Sequence, residues 1–229
     1  MQRVLRQSTS SKLAPLAGDQ WGLITRRQAE TAGVSPATLQ RLSSGGSLER
    51  VGHGVYHLAG APVPDHVALR GAWLQLAPDV PAWQRKPEQG VVSHRSAAAL
   101  YSLGHLPADT HEFTLPARKQ IRRADVRTHH QALADDEVAI QRGLPATRPA
   151  RIASDLLAER EDPEAVGQII ADALRETSEQ ASAFAENLAP HAARFGLRRD
   201  DGIAVLHWLL DLIGDPETSR WMEEARAGD

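Results

Sequence analysis

Five histidines in the middle of the chain, His94, His105, His111, His129 and His130, have the side chain best suited to chemistry near neutral pH. Imidazole can ligate a metal or carry a proton. Ligation needs spacing that turns several ring nitrogens toward one point, with partners that orient them. None of the five has such spacing, and the adjacent His129 and His130 would point to opposite faces of a strand. The expectation is no metal and no cofactor. The lysines Lys12, Lys86 and Lys119 follow no glycine, so no Gly-Lys-Ser/Thr phosphate loop exists. Two residues before them stand Ser10, Gln84 and Ala117, which removes the Asp/Glu-x-Lys element of common nuclease sites. His-Glu-x-x-His and Gly-x-Ser-x-Gly are also missing. Ser44-Gly45-Gly46-Ser47 is faintly like a nucleotidyltransferase loop, but no Asp-x-Asp follows to hold metals. No catalytic residue is assigned, and an enzyme is not expected.

Without nucleophiles or ligand sets, charge becomes the informative property. Residues 1–61 hold 7 Lys/Arg against 3 Asp/Glu, whereas residues 151–229 hold 8 against 17. A basic front and an acidic rear suit different partners, because phosphate backbones attract only the former; a plain solvated surface gives a similar front. At 229 residues, with 41% hydrophobic and 24% charged, the chain has the composition of one or two globular domains. It has no cysteine, which excludes disulfides and thiolate metal sites and fits the cytoplasm. The longest apolar run, 203–213, is interrupted by His207 and Asp211 and is too short to cross a bilayer. No signal-peptide core stands at the N-terminus.

The elements follow from caps and periodicity. Leu13, Leu16 and Ala17 make a helical stripe ending near Gly18. Thr25 and Gln28 form a capping-box pattern for a second helix, stopped at Gly33. Ser35-Pro36 opens a third helix with Leu39 and Leu42 inward, ended by Gly45-Gly46. Strands over 48–51 and 55–58 flank Gly52-His53-Gly54 as a tight hairpin. This order predicts a winged helix-turn-helix over 1–61. Pro62 and Pro64 mark a linker, after which 62–229 is expected to be a mixed α/β domain ending in acidic helices. Helices are predicted over 67–76, 94–103 (capped by Ser93) and from Pro149, with strands at 91–92, 112–115, 125–130 and 137–141. From Pro163 the spacing of Val166, Ile169, Ile170, Ala173 and Leu174 is helical, as are Ala181, Phe184 and Leu188 and then 203–213. The fold class is α+β.

Gly22 to Ala29, Ala32 to Ser35 and the wing run Leu48 to Tyr56 together resemble the N-terminal domain of AbiEi-type antitoxins. The resemblance extends through Val91 to Ala98 and Gly143 to Thr147, covering 15–175; nothing similar is recognised beyond Arg175. It implies an antitoxin of a type IV toxin–antitoxin system. Such a protein represses its own operon by binding promoter repeats through the winged domain. It counteracts a nucleotidyltransferase-like toxin through its C-terminal domain.

Within that frame each exposed residue has a role. Ser35, Thr38 and Arg41, on the solvent side of the third helix, are expected to read base edges, with Arg41 gripping guanine. Gln40 either pairs with adenine or is a plain solvated side chain. Arg26 and Arg27, at a helix N-terminus, are expected to clamp phosphate, with helix-surface solvation as the alternative. Arg50 and His53 would meet the backbone from the wing, while Tyr56 packs beneath it. Two half-sites call for a dimer or for monomers bound cooperatively. The competing readings are a stand-alone winged-helix repressor, a metal-dependent DNA-processing enzyme and a scaffold that binds only protein.

Overall fold

The computed structural model describes residues 9–121 and 123–227. The chain divides into two compact units, Met1–Gly90 and Val91–Asp229.

The first unit runs α1 (Thr9–Gly18), β1 (Leu23–Thr25), α2 (Arg26–Thr31), α3 (Pro36–Ser44), β2 (Leu48–Gly52), β3 (Val55–Leu58) and α4 (Val67–Leu76). Its sheet is antiparallel in the order β1-β3-β2, with Leu23 opposite His57 and Leu48 opposite Leu58. This is a winged helix with one element the sequence did not betray: β1 is three residues long, too short to show a period. The caps form where expected. The Gln28 N–H donates to Thr25 Oγ1 at 3.1 Å, and the Thr25 N–H donates to Gln28 Oε1 at 3.0 Å. Ser35 caps α3 with Pro36 at its first position, and Gly33 sits at φ +78° in the turn between α2 and α3. Leu13, Ile24, Ala29, Val34, Leu39 and Leu48 form the core, with Leu42, Tyr56 and Leu58 packed against it.

The unit does not end at residue 61. Helix α4 packs on the winged sheet, where a Cβ on Gly71 would lie 3.2 Å from Val51 Cγ1. The following segment is tied down by buried amides. Gln20 Nε2 donates to Gln28 Oε1 at 2.6 Å, Gln28 Nε2 to the Val80 carbonyl, and Thr25 Oγ1 to the Pro78 carbonyl. The boundary therefore falls after Gly90, not at the prolines, because these bonds join residues 52 to 53 positions apart.

The second unit holds a five-stranded mixed sheet in the order β6-β5-β4-β8-β7. Its strands are β4 (Val91–Val92), β5 (His111–Leu115), β6 (Val126–His130), β7 (Val138–Gln141) and β8 (Leu144–Thr147). Strand β8 is absent from the sequence reading because Pro145 argues against an interior strand. It is tolerated because β4 is only two residues long and meets β8 at one register position, Val92 opposite Ala146. Arg142 and Gly143, both at positive φ, make the tight β7–β8 turn.

The helices of this unit are α5 (His94–Tyr101), which packs on β5 and β8, and α6 (Pro149–Ala158), α7 (Pro163–Glu176), α8 (Ala181–Leu188), α9 (Gly202–Leu212) and α10 (Thr218–Ala227), which pack on one another. Helix α5 ends two residues earlier than its periodicity suggests, at a left-handed Ser102. The C-terminal helices interlock at small residues: Gly202 on α9 lies against the Ala185 carbonyl of α8, and Gly167 on α7 against the Leu209 carbonyl of α9. No described helix is long and apolar enough to cross a membrane.

Candidate nucleic-acid interface

Helix α3 buries Leu39 and presents Ala37, Gln40, Arg41 and Ser44 to solvent, with Thr38 half-buried. The expected base-reading residues thus share one outward face, but they are not equally free. Ser35 Oγ accepts the Thr38 N–H at 3.2 Å and lies 3.0 Å from Thr38 Oγ1, so the cap engages both hydroxyls. Gln40 Nε2 reaches Ser44 Oγ at 3.5 Å, the outer limit of a hydrogen bond. Arg41 makes no ion pair among the described residues and sits in the last turn of α3, where the helix dipole favours its charge.

The second group gathers around the wing tip. The Arg26 N–H donates to the Gly54 carbonyl at 2.8 Å, which draws the start of α2 against the hairpin. Arg26, Arg27, Glu30, His53, Gly54, Gln75 and Pro78 line a shared hollow of about 300 Å³. Gly54 adopts φ +63° there, a conformation that favours glycine, and a Cβ on it would only touch Gln75 Nε2 at 3.4 Å. Glu30 is the member that sequence reasoning overlooked. It accepts from Arg26 Nε at 2.7 Å and lies 3.8 Å from Arg27 Nη1, raising the Arg26 pKa through that hydrogen bond. Its i+4 spacing from Arg26 was the available signal. The Glu30 carboxylate thus already occupies the Arg26 guanidinium. Arg50 stands apart on β2, opposite Tyr56, with its Nε donating to the Gly52 carbonyl at 3.2 Å.

Residues 11–59 match the model of a family described as a transcriptional regulator, the AbiEi antitoxin. The match runs from α1 to the close of the wing and includes all eight residues assigned above to nucleic-acid contact. No curated protein matches the chain. In this AbiEi-like segment the family description and the winged topology agree.

The second unit brings together side chains that the sequence kept apart. Glu112 and His129 are diagonal neighbours on one face of the parallel β5–β6 pair, and His129 Nε2 lies 2.7 Å from Glu112 Oε2. His94 at the start of α5 stacks on His129, ring centroids 3.5 Å apart and planes at 13°. Burial first, and then the His129 and arginine charges, lower the His94 pKa to about 3, so its ring stays neutral. His130 turns to the other face, where its Nε2 lies 2.7 Å from the Pro116 carbonyl. The expected divergence of the two adjacent histidines is therefore present. Reading histidines alone left out Glu112. Ser93 differs from its expected role: its side chain does not cap α5, and its Oγ lies 3.0 Å from His94 Nδ1.

Proposed function

We propose that the protein is a DNA-binding antitoxin that represses its own operon and counteracts a nucleotidyltransferase-like toxin of a type IV system. The observation that carries the DNA-binding half is the solvent face of α3, where Arg41, with no ion pair among the described residues, stands beside short polar residues in a segment that matches a regulator family. Helix α3 enters the major groove. Arg41 takes guanine through its fork, Thr38 and Gln40 contact neighbouring edges, and Ser35 contributes mainly by holding the N-terminus of the helix. Arg26 and Arg27 meet phosphate by exchanging Glu30 for it, and Arg50 and His53 follow the backbone from the wing.

The antitoxin half belongs to the second unit. With 17 Asp/Glu against 8 Lys/Arg over residues 151–229, its helical part is repelled by phosphate and suits a basic protein surface. Two copies occupy the promoter repeats, as a dimer or as cooperative monomers. The cytoplasm is the compartment in which promoter DNA and toxin are both met.

Fluorescence anisotropy of the full chain on the duplex upstream of its own gene, against scrambled duplex at about 150 mM salt, tests this reading. Arg41→Ala should weaken operator binding by roughly 1–3 kcal/mol and random-sequence binding by less. Arg26→Ala should weaken both alike and flatten the salt dependence by about one phosphate contact or less. Equal binding of the intact chain to both duplexes would refute operator recognition.

A further inference from the structure

We propose that His94, Glu112 and His129 bind a divalent transition metal, zinc being the best match to their donors, with an open coordination position facing the adjoining cavity. Each of the three offers one ligand atom, and these atoms lie within 4.8 Å of one another. Two imidazoles and one carboxylate form the donor set of zinc sites that keep a position for water, and they suit magnesium or calcium poorly.

A plain ion pair accounts for only part of the cluster. Glu112 and His129 would be satisfied by each other, but His94 would not be needed. Yet His94 is buried face to face with a second imidazole, at φ +53°, where non-glycine residues are uncommon. Its Nδ1 is engaged by Ser93 Oγ, and its Nε2 has no hydrogen-bond partner among the described residues. A metal-bound histidine is held in this way, one nitrogen fixed by a partner and the other left for the ion. Thr114 adds a further unsatisfied donor. It lies on the same sheet face, directly opposite His129 in register, and its buried Oγ1 has no partner. With the rings stacked, both can hold one ion only after one of them turns about its Cβ–Cγ bond, a soft torsion.

The surroundings favour a cation. His94 and Glu112 border a cavity of about 310 Å³ whose wall also carries Asp109, Glu159 and Glu161 against Arg95 and Arg127. Glu159, held by Arg127 at 2.5 Å, places Oε1 3.7 Å from His129 Nδ1, beyond hydrogen-bond length, and adds negative charge beside that ring. A bound ion would present its remaining position, with a water, to this space.

The tag-free full chain, stripped with a chelator, is titrated with Co²⁺ while its visible absorption is followed. The expected result is a ligand-field band that saturates at about one equivalent and is abolished by Zn²⁺, which also raises the melting midpoint of the protein. His94→Gln and Glu112→Gln should each weaken binding at least about 10-fold. His130→Gln, on the opposite face, should leave it unchanged. Absence of a saturable band in the unaltered chain would overturn the proposal, leaving a hydrogen-bonded His–Glu pair. A band that survives both His94→Gln and Glu112→Gln would overturn it equally. The titration of the unaltered chain decides the existence of the site even where a variant fails to fold.

Discussion

Removing the guanidinium of Arg85 should destabilise the winged unit selectively, although Arg85 lies outside the helix-turn-helix and its wing. Arg85 closes the C-terminus of α4. Its Nη1 donates to the Trp73 carbonyl at 2.5 Å, and its Nη2 donates to the Leu74 and Ala77 carbonyls at 2.6 Å each. Its Nε donates to the Val80 carbonyl at 3.1 Å, and the guanidinium sits 4.3 Å above the Trp73 ring. Burial pushes its pKa down to about 10, which still leaves it charged at neutral pH. Hydrogen bonds to charged groups contribute about 1.5–3 kcal/mol each, so four at the lower value approach 6 kcal/mol. Ordering the side chain costs up to about 2 kcal/mol, and water reaching the carbonyls of the half-buried Ala77 and Val80 recovers about 1 more. Arg85→Ala should therefore destabilise the unit by about 3 kcal/mol. Arg85→Lys should recover only a minor part, because one ammonium cannot span carbonyls arranged for a fork.

Urea denaturation of the full chain followed by tryptophan fluorescence reads this directly. Trp21, Trp73 and Trp83 report the first unit, and Trp208 and Trp221 report the second. At a urea dependence of about 1.5 kcal/mol per molar, the first unit's midpoint should fall by about 2 M while the second stays in place. Amide exchange should also speed up at Thr25 and Gln28, which lose the fixed Pro78 and Val80 carbonyls. A midpoint change below about 0.5 M, or a lysine as effective as the arginine, would refute this account of the cap.

Two further outcomes follow from the second unit. Gly202→Ala would put a Cβ 1.7 Å from the Ala185 carbonyl oxygen, a backbone atom that cannot step aside, so α8 and α9 must separate; a loss of about 3 kcal/mol, the upper range for overpacking, should appear as a lower melting midpoint. His191, 3.0 Å from Ser154 Oγ, has its pKa lowered, by burial first and then by the Arg194 charge. The unfolded chain therefore takes up that proton more readily than the folded one, and the His191 contribution is lost as pH falls below the ordinary histidine value near 6.5. The stability of His191→Gln should fall less steeply over that range, and an unchanged slope in urea titrations at several pH values would count against it.

Local signals were legible and non-local ones were not. The capping box of Thr25 and Gln28, the Ser35-Pro36 start and the Gly33 and Gly54 turns are each set by a few neighbouring residues, so their chemistry can be read directly from the chain. The outward face of α3 follows from Leu39 and Leu42 in the same way. Strand β8 was hidden because Pro145 obeys a rule about interior strands that a two-residue neighbour relaxes. The end of the winged unit was hidden because the prolines at 62 and 64 look like a linker, whereas the bonds that decide it join Thr25 and Gln28 to carbonyls more than 50 residues away.

Several polar side chains whose burial no local pattern announces lie inside the protein, Gln20, His94, Glu112 and Thr114 among them. A buried polar group is costly unless paired, so each must be accounted for. Gln20 and Gln28 close the account completely: their amides bond to each other, to the Leu23 and Val80 carbonyls and to the N–H groups of Ala82 and Thr25. Such a saturated network explains itself as structure and asks for no ligand. The β5–β6 face does not close. Among the described residues, the buried Thr114 Oγ1 and Asp155 Oδ2 have no partner, and His94 Nε2, at the cavity wall, makes no hydrogen bond in a ring whose other nitrogen is fixed. A cation bound beside this cavity would give His94 Nε2 a partner and draw Glu112 and His129 around it. The contrast between the two buried polar clusters, one saturated and one not, separates a fold-supporting network from a site.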